Sequence, residues 1–311
     1  MVTMTTRMAS VLAASTFWWT PPAAAAEAEK YFPAETQVVV RVNVQQILGS
    51  ALLRNELDRI RRELNRNTQV RETLESLGFD PLKDLDGVYL AGPGIRSAEK
   101  ALVVLTGRFD VARFRAKAEQ AVTKGEPLRI HSENGRTIYE TNLPGQSKAL
   151  FATVLDPTTI VLSLDKSYVV DSLDIKIGKK RPALRDEMRQ LIGKLRPDQS
   201  IGVAGLGAAL MEGLTEPDRV RHVVGGISIG DDIRTEFTVH AKDTAAATDL
   251  ARLLREALDH GKNFLTLIAM SQPDLAPLIG VVDTLRVVSA DSDVILRGSV
   301  TKQYMDELKR K

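Results

Sequence analysis

The chain has 311 residues, of which 43% are hydrophobic, 26% charged and none cysteine. That length sets a prior of about two domains, and the composition is that of a globular chain, not a disordered or fibrous one. The absence of thiols excludes disulfides, Cys-ligated zinc and thiol chemistry, and 42 Lys+Arg against 40 Asp+Glu lack the basic excess of a nucleic-acid binder.

Residues 1–26 stand apart. Arg7 is followed by an apolar run from Met8 to Trp19, then Pro21, Pro22 and the small-residue exit Ala24-Ala25-Ala26. This pattern predicts a secretory signal cleaved after Ala26, with Ala25 as the alternative, and hence a periplasmic or extracellular protein. The run is too short for a membrane span of about 20 residues, and no Cys near the exit offers a lipid attachment point.

The first half, 31–180, begins with the alternating, β-branched stretch Pro33 to Val44, a strand. From Gln45 the apolar residues Leu53, Leu57, Ile60 and Leu64 step at helical spacing, and Val70, Leu74 and Leu77 resume the stripe. Asp58 and Arg62 stand four apart, as on a solvated helix face. Gly87–Gly92 and Ala101–Phe109 read as strands, and the glycines of Gly92 to Arg96 as a hairpin loop between them. Asp110 is placed to cap a helix running to about Lys124. A hairpin turning on Asn134-Gly135 follows, then a second turning on Pro157-Thr158. A helix around Tyr168 closes the half near Ile177, and Gly178 to Pro182 reads as the boundary.

The second half, 181–311, repeats the order. A helix is expected over Ala183 to Leu195, then strands within Pro197–Leu210, Val223–Gly230 and Thr235–Ala241. Asp243 takes the capping place of Asp110. A long helix from Thr244 to about Met270 and a segment from Asp274 to Val282 precede a last hairpin and a closing helix, in which Tyr304 matches Tyr168. The order predicts an α+β fold: two tandem ferredoxin-like βαββαβ units, each with an added hairpin and closing helix, with antiparallel sheets packed together.

The stretches GRFD (107–110), GRTIYE (135–140) and DKSYVVDSL (165–173), with PAETQVVV at 33–40 opening the expected mature chain, resemble exported bacterial two-repeat α+β proteins of unknown function. The resemblance implies an envelope location and brings no active site with it.

For chemistry, the sharpest motif is Gly226-Ile227-Ser228-Ile229-Gly230, which matches G-x-S-x-G. In hydrolases that motif works because a strained strand-to-helix turn exposes the serine. Here the flanks read strand, turn, strand, so the glycines are expected at bulge or turn positions. A serine hydrolase using Ser228 with His240 (or His260) is the alternative reading. His131, His222, His240 and His260 show no metal-ligand spacing. His222 and His240 flank a hairpin and can meet in space, but two nitrogens make a poor zinc site, and no metal or cofactor is expected. Asp84-x-Asp86 lacks the glutamate a calcium loop needs at its twelfth position, and Asp231-Asp232 and Asp291-x-Asp293 read as hairpin tips. The stretch Asn263 to Val282 is the most apolar of the mature chain. It reads as core, or as a groove in which Phe264, Leu267, Ile268 and Leu278 line a site for an apolar ligand or a partner protein. The expected function is a binding or structural role in the envelope, without catalysis.

Overall fold

The structure is a computed structural model that describes residues 27–54, 57–59, 62, 79–133, 136–142, 148–210, 217–272 and 276–309. The expected signal over 1–26, Ile60 and Leu64, the stripe at Val70, Leu74 and Leu77, the Asn134-Gly135 turn and Asp274 lie outside them.

Among the described residues twelve strands form one sheet. They are β1 (Val38–Asn43), β2 (Leu85–Gly92), β3 (Leu102–Gly107), β4 (Leu128–Glu133), β5 (Arg136–Asn142), β6 (Ala149–Asp156), β7 (Thr159–Ser163), β8 (Ile201–Leu206), β9 (Val220–Ile229), β10 (Ile233–Ala241), β11 (Arg286–Ala290) and β12 (Asp293–Val300). Their order across the sheet is β11-β12-β10-β9-β8-β1-β2-β3-β7-β6-β5-β4, and every pairing is antiparallel. The fold is therefore α+β.

One expectation needs correction. A split βαβ unit places its third strand between its first and second, so those two do not pair. Here β1, β2 and β3 are successive antiparallel neighbours, because each connection turns the chain straight back. The expected packing together of the two halves is made edge to edge: β1 pairs with β8, so both halves lie in one sheet. Counting outward from that junction, the first half reads β1-β2-β3-β7-β6 and the second β8-β9-β10-β12-β11. The hairpin β4-β5 lies beyond β6 and has no counterpart. At the junction Val40 faces Val203. The flanking bonds come as a pair, Asn43 N–H to the Ser200 carbonyl at 2.8 Å and Leu206 N–H to the Gln37 carbonyl at 2.9 Å.

The helices are α1 (Val44–Gly49), α2 (Val111–Thr123), α3 (Lys166–Lys176), α4 (Asp186–Ile192), α5 (Thr244–Ser271), α6 (Ala276–Thr284) and α7 (Lys302–Lys309), besides shorter turns. Gly92 to Arg96 leads into a 3-10 turn over Ile95–Lys100, not a plain hairpin loop. Asp110 and Asp243 cap α2 and α5, their carboxylates accepting from the N–H groups of Arg113 (2.9 Å) and Ala246 (2.8 Å). Each satisfies a donor that the first turn leaves without a partner.

One sheet face buries Val39, Tyr89, Val104, Val161 and Ala204 under Phe32, α3 and α4, with Val169 and Met188 fully enclosed. The opposite face carries two smaller cores. In the first half Leu85 and Ile160 pack with Phe109. In the second, Val223, Val239 and Val294 lie under Ala247, Leu250 and Ala251 of α5. The closing helices part company. Tyr168 of α3 is buried in the main core and donates its hydroxyl to Glu35. Tyr304 of α7 instead lies against Gly280 of α6, away from the face that α3 covers. Over β9, β10 and β12 no helix among the described residues covers that face as α3 covers the first half.

Candidate functional site

Side chains on one face of a sheet recur every second residue, and antiparallel register brings them into rows. On the open face β9, β10 and β12 bring His222, His240 and Asp293 into one row. The rings of His222 and His240 stack with centroids 4.8 Å apart and planes 25° from parallel. Asp293 Oδ1 lies 2.7 Å from His240 Nδ1, which fixes that ring from its far side. Lys194 Nζ stands 3.4 Å from His222 Nε2. An ammonium has only protons to offer, so this contact selects the neutral imidazole with its lone pair toward the lysine. Burial pushes the His222 pKa down, and the charges of Lys194 and His240 push it further. The pairing slips between His240 and Ala241, a bulge of the kind that re-aims side chains beside a site.

The next charged row adds Glu236. Its two carboxylate oxygens are shared between Arg196 (3.0 Å) and Arg297 (2.8 Å). Arg196 belongs to the loop after α4. That loop is held over the sheet by Arg41, whose guanidinium donates to the Arg196 carbonyl at 2.6 Å, and by Gln199, which accepts from the Arg196 N–H at 3.0 Å. The result is a trough with a strand floor and a loop wall. It comprises a hollow of about 440 Å³ around the histidines and one of about 420 Å³ around the arginines, with Arg196 and Glu236 lining both.

Ser228 is in β9, opposite Arg234 and 7% exposed. The chain bends after Ile229 and re-enters the sheet at Ile233, so no helix follows the serine and there is no elbow. His240 is six residues beyond Arg234 on the same strand, which at strand rise puts it about 20 Å from Ser228. The expected bulge or turn role of the first glycine is corrected. Gly226 sits in unbroken register, and a methyl group there would come 2.1 Å from the Ile201 carbonyl oxygen. The motif thus records close strand approach.

Phe264, Leu267 and Met270 are 62%, 65% and 81% exposed on the second half of α5, with Leu278 of α6 also exposed and Ile268 half-buried. These side chains form an outward ridge and are not the core that their apolarity suggests; the apolar face they make is open. Among the described residues no three His, Asp or Glu side chains are placed to hold a metal ion, and no helix is long and apolar enough to cross a membrane. Sequence reading missed Lys194, Arg196, Glu236 and Arg297 as site residues. The two histidines were accessible by counting back from the β9–β10 bend, but the loop over them was not.

The molecule is thus an α+β protein with one antiparallel sheet and a polar trough on its uncovered part. No family model matches the chain, and no curated protein matches it. Among solved structures it is similar to one titled "Structure of crystal form I of TP0453", with a TM-score of 0.45 and 12% identity, over 90% of this chain and 95% of that one.

Proposed function

We propose that the chain is an exported component of the bacterial envelope that acts by binding, without catalysis. In this reading it consists of two tandem α+β repeats joined through their first strands, and its ligand occupies the trough over His222, His240 and Glu236. The matched strand orders, the paired junction bonds and the equivalent Asp110 and Asp243 caps support the duplication. The binding role rests on one observation. α3 closes its sheet face in the first half, while α7 is docked elsewhere, leaving polar, titratable side chains in a trough instead of a core. Concave sites with a few convergent polar groups are where small ligands bind.

Export rests on the sequence pattern alone, and N-terminal sequencing of material recovered outside the cytoplasm should begin at or near Glu27. For binding, native mass spectrometry of the purified protein should detect a co-purifying small molecule. Its addition to stripped protein should shift the His222 and His240 imidazole resonances. A ligand that shifts only residues of α5 and α6 would remove the trough from consideration.

A further inference from the structure

The second hollow holds an arrangement that folding does not call for. Arg286 on β11 stands directly opposite Arg297 on β12, and like charges in that position destabilise a sheet. Arg234 and Arg196 line the same hollow. Against these four guanidiniums the lining offers one carboxylate, Glu236, whose two oxygens are already taken by Arg196 and Arg297. Asp198 offsets Arg196 from outside the hollow, at 3.2 Å. Arg286 donates only to backbone carbonyls, those of Asp283 (2.6 Å) and Leu285 (2.8 Å). The Arg234 guanidinium has no hydrogen-bonding or ionic partner among the described residues. The nearby Asp283 carboxylate is engaged by Lys262 at 2.5 Å. Positive charge therefore exceeds negative inside a concavity, and its carriers are planar forks that match the oxygens of a phosphate. A solvated face would interleave its signs, as the Arg252–Glu256 pair on α5 does.

We infer that this hollow is an anion subsite, taking a phosphate group of the ligand between Arg234, Arg286 and Arg297, with Glu236 engaging Arg196 and Arg297 until the anion arrives. The inference rests on the trough being the binding site and adds the chemical class of the ligand. The same group could be carried by a small phosphate ester or by a phospholipid headgroup.

Calorimetry on the folded protein with inorganic pyrophosphate, and in parallel sedimentation with vesicles of phosphatidylcholine containing phosphatidylglycerol, tests it. Binding should weaken at least tenfold in Arg234→Gln and strengthen several-fold in Glu236→Gln, which removes the competing carboxylate. Both positions border the hollow and neither is in the hydrophobic core, and circular dichroism checks that the variants fold. Binding to pyrophosphate assigns a free phosphate compound, and binding to vesicles alone assigns a headgroup. Either result must show both mutational signs to support the inference. Binding to neither probe, or binding indifferent to both substitutions, overturns it. A co-purifying ligand that bears no anion yet shifts the histidines would also overturn it, while leaving the trough as the binding site.

Discussion

His222 stacks on His240 across the β9–β10 pair, centroids 4.8 Å apart, with Lys194 Nζ on its open nitrogen and Asp293 on the far side of its neighbour. The groups facing this pair are Lys194 and Arg196 from the loop, Glu236 from β10 and Asp293 from β12. Burial, Lys194 and His240 depress the His222 pKa, so the unfolded chain takes up this proton first as pH falls. Stability from this site is therefore present above an ordinary histidine pKa of about 6.5 and declines as pH drops toward the lowered folded value. Imidazole NMR titration should find His222 below the ordinary value, and Lys194→Met should bring it back up.

The caps give a test of how the halves are coupled. Asp110→Ala and Asp243→Ala should each cost about 0.5–2 kcal/mol, the usual loss for such a cap. Because β1 and β8 share backbone hydrogen bonds, either change should lower one cooperative thermal transition, monitored together by fluorescence and far-UV circular dichroism. Two separate transitions, each responding to one cap, would mean that the halves unfold independently.

Gly280 marks the seat of the C-terminal helix. A methyl group there would lie 1.9 Å from the Tyr304 hydroxyl oxygen and 2.4 Å from its ring carbon. Gly280→Ala should dislodge α7 and expose the C-terminus to limited proteolysis. Tyr304→Ala in the same chain should restore the room, making the pair strongly non-additive in a double-mutant cycle.

Ser228 should not behave as a nucleophile. A fluorophosphonate probe should leave the folded protein unlabelled, and labelling abolished by Ser228→Ala would revive the hydrolase reading. Gly226→Ala, which forces a methyl against the Ile201 carbonyl, should destabilise the fold far more than Ser228→Ala does.

Local signals in the sequence carried most of the secondary structure. Asp110 and Asp243 marked the helix starts, and β-branched runs marked β1, β3 and β10. The strand order was beyond those signals. Whether β7 lies beside β3, or β1 beside β8, depends on which edges meet after the chain has travelled over 50 or 160 residues, and no local pattern encodes that. The trough was half legible for the same reason. His222 and His240 are mates across a short bend, whereas Lys194, Arg196, Asp293 and Arg297 reach them only through long-range pairing. The ridge of Phe264 and Leu267 was misleading because their apolarity signals burial in a core, and here it is displayed.

The β1–β8 seam has a meaning of its own. A lone edge strand is a template for further pairing, and here each half presents its first strand to the other in a nearly two-fold arrangement, with Val40 meeting Val203. Such a contact is what two identical subunits would make, the same patch meeting itself. The connection through residues 177–185 holds the two surfaces at high local concentration. Severed there, each fragment would carry an open hydrogen-bonding edge of matching shape, so the pieces would be expected to reassemble with one another or to pair with copies of themselves.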